Sequence, residues 1–241
     1  MVEFKDVTES EIIFKKQLAK REYCVVFLVI IRDKICVMKV VGARSSGLCY
    51  RCTLTLPQHR GHGPKLPYEP RDRELNIYIC ESTAYRRLTQ TGVCARGITP
   101  QFYGTIENID PTLCNPHLKA FVKDKYPPTA ILLEYIPNMK ELDWSNYSEK
   151  RMENFIDGMN AIHEALVEHG DIYPRNMMIV EGDPERAIWI DFDRAQTFNR
   201  ELSDRQKEWI GFEKAILNEM ADYMKHDASE GKMDKTRIYY L

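Results

Sequence analysis

Residues 169–176 read His-Gly-Asp-Ile-Tyr-Pro-Arg-Asn, and fifteen positions after Asn176 an apolar run, Ala187-Ile188-Trp189-Ile190, ends in Asp191-Phe192-Asp193. No other part of the chain restricts its possible folds as tightly. The apolar run is a strand in pattern, so the sequence sets a tight loop carrying Asp171 and Asn176 ahead of a strand that ends on Asp191. A carboxylate and an amide carbonyl are hard oxygen ligands, suited to a divalent cation. A second carboxylate on the same loop can accept or orient the proton of an alcohol. The bland alternative is that all three residues cap turns, which Asp and Asn also favour.

This loop-and-strand pair resembles the catalytic loop and metal-binding Asp of the protein-kinase-like superfamily. The resemblance runs over roughly residues 12–215. Ile35-Cys36-Val37-Met38-Lys39-Val40 is similar to the strand whose Lys contacts the α- and β-phosphates, and Glu81 opens a helical pattern similar to the helix whose Glu pairs with that Lys. Glu74 is a rival for that role. Ala130–Ile136 resembles the strand running into the hinge, where backbone groups of Glu134 and Ile136 would bind the adenine edge. The resemblance implies Asp171, Lys39 and Glu81 as catalytic residues and Asn176 and Asp191 as magnesium ligands. Lys39, Glu134, Ile136, Asn176 and Asp191 would together bind ATP. It also implies an α+β, two-lobed fold: a small, mostly β lobe over residues 1–136 and a shortened, mostly helical lobe over 137–241.

The departures narrow the likeness. No glycine precedes Gly42, so the glycine-rich phosphate loop of ordinary kinases is missing. Gly170 stands where signalling kinases carry Arg, Asp193 replaces the Gly of Asp-Phe-Gly, and Tyr173 sits where Ser/Thr kinases place a Lys. A phenol carries no positive charge to replace that Lys. Only fifty residues follow Asp191, leaving little chain for a peptide-binding floor or a helical acceptor pocket. His-Gly-Asp followed by an acidic residue after the metal Asp resembles aminoglycoside and choline phosphotransferases, the small kinase of the KEOPS tRNA-modification complex, and small fungal kinase-like proteins.

The remaining features fit a chain with a sizeable core. Hydrophobic residues make up 44% and the net charge is -2, which gives no overall nucleic-acid signature. Seven cysteines at irregular spacing argue for a reducing compartment. The longest clean apolar run, Cys24–Ile31, is too short to span a bilayer, so a cytoplasmic or nuclear protein is expected. That run and Ile35–Val41, joined by Arg32-Asp33-Lys34, read as a hairpin. Met152, Phe155, Ile156, Met159, Ile162 and Leu166 mark one helix face. Trp209, Phe212, Ile216, Met220 and Tyr223 mark another, on a helix over about 204–225, and the last dozen residues read as loose.

Residues 44–73 show no sustained periodicity. They hold Arg44, Arg51, Arg60, Lys65, Arg71 and Arg73 against Glu69 and Asp72, six minus two giving +4. Such a loop is either a solvated insertion or a dock for RNA or an acidic partner. Cys49, Cys52, His59 and His62 within it are possible zinc ligands, although the six residues between the pairs are few for a zinc site. The functional expectation is an ATP- and magnesium-dependent phosphotransferase acting on a hydroxyl, first of all a protein Ser or Thr. The alternatives are a nucleotide-binding scaffold without turnover and a small-molecule kinase of the aminoglycoside or choline type.

Overall fold

In the computed structural model of the protein, which describes residues 3–21, 24–42, 73–199 and 201–240, the two apolar runs form the expected hairpin. Strands β2 (Cys24–Ile31) and β3 (Lys34–Val41) pair antiparallel, with Ile31 opposite Lys34. Arg32 (φ 49°) and Asp33 (φ 63°) make the two-residue turn, the left-handed pair that matches the twist of a hairpin. The basic stretch 44–73, with Cys49, Cys52, His59 and His62, lies outside the described residues except for Arg73.

Contacts divide the chain into two units, Met1–Ser82 with Phe102–Tyr135, and Thr83–Gln101 with Ile136–Leu241. The first is built on a five-stranded antiparallel sheet. It adds β1 (Ile13–Lys20), β4 (Phe102–Ile106) and β5 (Thr129–Glu134) to the hairpin in the order β1-β2-β3-β5-β4. The alternation of β2 and β3 sorts their side chains. Phe27, Val29, Ile31, Cys36, Met38 and Val40 are buried with Ile109, Cys114, Leu118 and Phe121 from the connection between β4 and β5. Gly42 follows β3 where a Cβ would clash with the Phe121 ring, so a larger residue would force that wall outward. On the other face Lys39 stands opposite Val26 and Ile131.

Strand β1 was not foreseen. Its residues are exposed or half-buried throughout, and lysines at 15, 16 and 20 hide the alternation that marks a half-buried strand. Two register shifts against β2 interrupt the pairing, a common way of blunting a sheet edge. Helix α1 (Ile77–Gln90) begins where the Asn76 side chain accepts from the N–H groups of Tyr78 (3.1 Å) and Ile79 (3.2 Å). Its residues up to Ser82 group with the first unit and the rest with the second.

The second unit holds helix α2 (Glu149–Glu164), capped by Ser148, and helix α3 (Asp204–Glu230), opened by a reciprocal Ser203–Gln206 capping box. Two small sheets accompany them. One contains β6 (Met139–Glu141), β8 (Met177–Val180) and β9 (Asp183–Trp189), and the other β7 (Val167–Glu168) and β10 (Gln196–Thr197). Trp189 is fully buried, its Nε1 donating to the Phe155 carbonyl at 3.1 Å, so β9 is pinned onto α2.

Two expectations fail in α3 and beyond. The buried stripe is Glu213, Leu217, Met220, Met224 and Asp227, whereas Phe212 is exposed. Two of the five inward residues are carboxylates, so hydrophobic periodicity selects the neighbouring stripe. The last dozen residues are not loose up to Tyr240. Asp227, fully buried, accepts from the N–H groups of Asp234 (3.0 Å), Lys235 (3.0 Å) and Thr236 (2.9 Å) and from Thr236 Oγ1 (2.6 Å). Burial pushes this carboxyl up, but those four donors outweigh it and hold the group well below the usual carboxylate range. The molecule is α+β, with a sheet-rich N-terminal part and a helical C-terminal part. Among the described residues, no helix is long and apolar enough to cross a membrane.

Candidate functional site

The candidate residues divide between the units: Lys39, Glu81 and Glu134 in the first, Ile136, Asp171, Asn176 and Asp191 in the second. In the first unit β3 delivers Lys39 and α1 delivers Glu81. Their Nζ and Oε2 are 2.6 Å apart and both side chains are buried. The rival Glu74 is spent locally, accepting from the N–H groups of Leu75 and Asn76 just ahead of α1. Glu134 closes β5 opposite Cys36, and Ile136 is buried in the other unit.

In the second unit, the turn Pro174–Asn176 brings Asn176 back onto Asp171. Asn176 Nδ2 donates to the Asp171 carbonyl (2.9 Å) and to its Oδ2 (2.7 Å). Both partners are acceptors, so the amide NH2 must face them and the amide oxygen must face away. That oxygen, Oδ1, is buried without a hydrogen-bond partner among the described residues. A lone buried acceptor of this kind costs about 1–3 kcal/mol unless a ligand meets it. Hard, neutral and fixed, it suits a magnesium ion.

Asp191 is brought to the same place by backbone bonds. Met177 pairs with Trp189 across β8 and β9. Beyond that pair, the Ile190 N–H donates to the Asn176 carbonyl (3.1 Å) and the Ile190 carbonyl accepts from His169 Nε2 (3.0 Å). On its other side, Phe192 is buried between the rings of His169 (4.6 Å) and Tyr85 (5.2 Å). Asp191 itself has φ 65°, a left-handed backbone that Asp tolerates better than most residues. With both neighbours fixed, the surroundings impose that conformation.

Sequence reasoning missed Glu213. From α3 its carboxylate accepts the N–H groups of Gly170 (Oε1, 2.6 Å) and His169 (Oε2, 3.0 Å), and His163 Nε2 donates to the same Oε2 at 2.8 Å. One buried side chain thus holds the two residues before Asp171. Gly170 has φ 78°, which explains a glycine at this position, since a side chain there would be strained. Glu213 is one of seven carboxylates along α3, and its partners are more than forty positions away, so nothing in the sequence singled it out.

Arg175 completes the loop. One terminal nitrogen reaches both Asp171 oxygens (2.8 and 3.0 Å), and the guanidinium carbon lies 4.2 Å from the centre of the Tyr173 ring. Its side chain is 45% exposed against 8% for Asp171, so an incoming group meets the arginine first. The nearby Glu141 carboxyl is pushed up by burial and by Asp143, with Arg175 pulling the other way.

The model of the lipopolysaccharide kinase (Kdo/WaaP) family matches residues 130–232. The matched stretch is similar to a family of kinases. It runs from β5 to just past the end of α3 and so includes Asp171, Asn176, Asp191 and Glu213. That family lies in the protein-kinase-like superfamily, and the α+β architecture described above is consistent with a kinase-like fold. The match supports a kinase-like phosphotransferase. Comparison with curated proteins gives no match.

Proposed function

We propose that the protein transfers the γ-phosphate of magnesium-bound ATP to a hydroxyl, most readily that of a protein Ser or Thr. The observation that carries this reading is the Asn176 amide: oriented by two acceptors, it presents a buried, unbonded oxygen beside the strand end that bears Asp191. Asn176 and Asp191 would hold magnesium, which when bound neutralises charge on the phosphates. Lys39, fixed by Glu81, is suited to the α- and β-phosphates.

In the transfer, the acceptor oxygen bonds to the γ-phosphorus as the bond to the bridging oxygen of ADP breaks, and that oxygen leaves with the electron pair. The hydroxyl proton passes to Asp171. Asp171 Oδ2 takes Asn176 and Arg175 whereas Oδ1 takes Arg175 alone, so Oδ1 has the better capacity to receive it. Arg175 supplies the positive charge that Tyr173 lacks. Only one of its nitrogens serves Asp171, leaving Nε and the other terminal nitrogen for phosphoryl oxygens.

A saccharide hydroxyl is the second reading, favoured by the family that matches, whose name specifies lipopolysaccharide. Calorimetric titration of ATP with and without magnesium, on the wild type and on Asp191→Ala, tests the common core. Magnesium-dependent binding that is lost in the variant is expected. A folded wild type that binds no ATP would overturn the proposal in favour of a scaffold role. Phosphate transfer across a panel of protein mix, aminoglycoside, choline and simple sugars then separates the acceptors.

A further inference from the structure

The chain does not leave the site after α3. Gly231 (φ 67°) ends the helix, the Asp227 clamp turns the chain back, and residues 235–239 form a short 3-10 segment. That segment returns to the catalytic loop. Tyr239 is buried, its ring 6.4 Å from that of Tyr173 at an edge-on 70°, and its hydroxyl donates to Glu219 Oε2 at 3.2 Å. Tyr240 donates to the Leu142 carbonyl at 3.0 Å, securing the segment at its far end. Burial and the Glu219 carboxylate push the Tyr239 phenol up, so it stays a donor.

Tyr173 stands between this segment and Arg175. One neighbour is the guanidinium at 4.2 Å and the other is the Tyr239 ring. At 37% exposure, Tyr173 would have several rotamers open to it without that second contact. A flexible arginine, with its large side-chain rotamer entropy, acts on a transition state only if its neighbours order it.

We propose that Tyr239 is a positioning residue, through which the C-terminal segment orders the Tyr173 ring and so sets the Arg175 guanidinium against Asp171. The inference rests on the phosphotransfer reading and on the role given there to Arg175. Tyr239 touches no substrate; it acts through two intermediate side chains. The segment after α3 is therefore part of the catalytic apparatus, although it contains no reacting group.

The test is a double-mutant cycle on magnesium-ATP turnover, with the best acceptor of the panel of protein mix, aminoglycoside, choline and simple sugars. Y239L keeps apolar volume at the site and removes the ring edge. It is expected to lower kcat about three- to fivefold, the range for a partly exposed cation–ring contact, with KM for ATP unchanged. Y239F, which keeps the ring and loses only the bond to Glu219, should rescue most of that loss. In the R175M background, Y239L should add no further loss. Equal factors from Y239L in the two backgrounds would mean that Tyr239 acts only on the fold, and would overturn the inference. So would unchanged kcat in Y239L, or full activity in R175M, which removes the residue through which Tyr239 acts. A wild type without turnover brings down the phosphotransfer reading and this inference with it.

Discussion

Lys39 and Asp171 are both buried, charged candidate residues, one in each unit, but they are held by different means. Lys39 stands on a strand whose neighbours fix it through the sheet register, and it pairs with Glu81 from α1. Asp171 stands on a loop without a ladder of its own. Asn176 and Arg175 hold its carboxylate, while Glu213 takes the backbone of the two residues before it. A strand aims a side chain through its register; a loop needs its backbone tied from outside. Disturbance at Lys39 should therefore stay local, whereas loss of the Glu213 tie should spread through the loop that carries Asp171.

The largest effect expected is on chemistry alone. Asp171→Ala should lower phosphate transfer about a thousandfold, within the range for loss of a general base, with magnesium-ATP affinity kept in the same calorimetric titration. Glu213→Ala sharpens the contrast, because it strands two backbone donors and His163 at once. A loss of about 3 kcal/mol or more is expected in urea unfolding, together with lost turnover, and Glu213→Gln should recover part of both. A Glu213→Ala protein of wild-type stability and activity would break the comparison.

Lys39→Met should act more locally, weakening ATP binding about tenfold, with hydrogen-exchange protection of the catalytic loop unchanged. Loss of loop protection in that variant would show that the two arrangements are not independent. The smallest effect concerns acid. The folded-state pKa of Asp227 is lowered, so its contribution is fully present above the unfolded value of about 3.9. It is lost as pH falls from there towards the folded value. Proteolysis of the 234–240 segment should therefore rise as pH falls below about 4 in the wild type, and Asp227→Asn should flatten the response.

The 171–176 loop was legible because its parts are short-range: Asp171 and Asn176 lie on one turn, and an apolar run follows that delivers Asp191. The Lys39 strand was legible for a similar reason, since β2 and β3 alternate cleanly and sit two residues apart. Glu213 and Asp227 were not. Both are polar residues on the inward face of α3, satisfied by backbone groups at a distance, and the Asp227 clamp also turns an apparently polar tail into ordered structure. Strand β1 was hidden by its lysines. What pattern reading missed is mostly what tethers the site, while the residues it nominated are mostly those whose chemistry would act there.

The Glu213 tether has a consequence for the order in which the protein matures. A ribosome that has reached residue 200 has already made Lys39, Glu81, Asp171, Asn176 and Asp191, yet not the carboxylate that ties down the backbone ahead of Asp171. Every nominated active group then exists before any of them can be used. Fragments that stop short of α3, whether from stalled synthesis, a frameshift or a protease, should carry the whole motif and none of the activity.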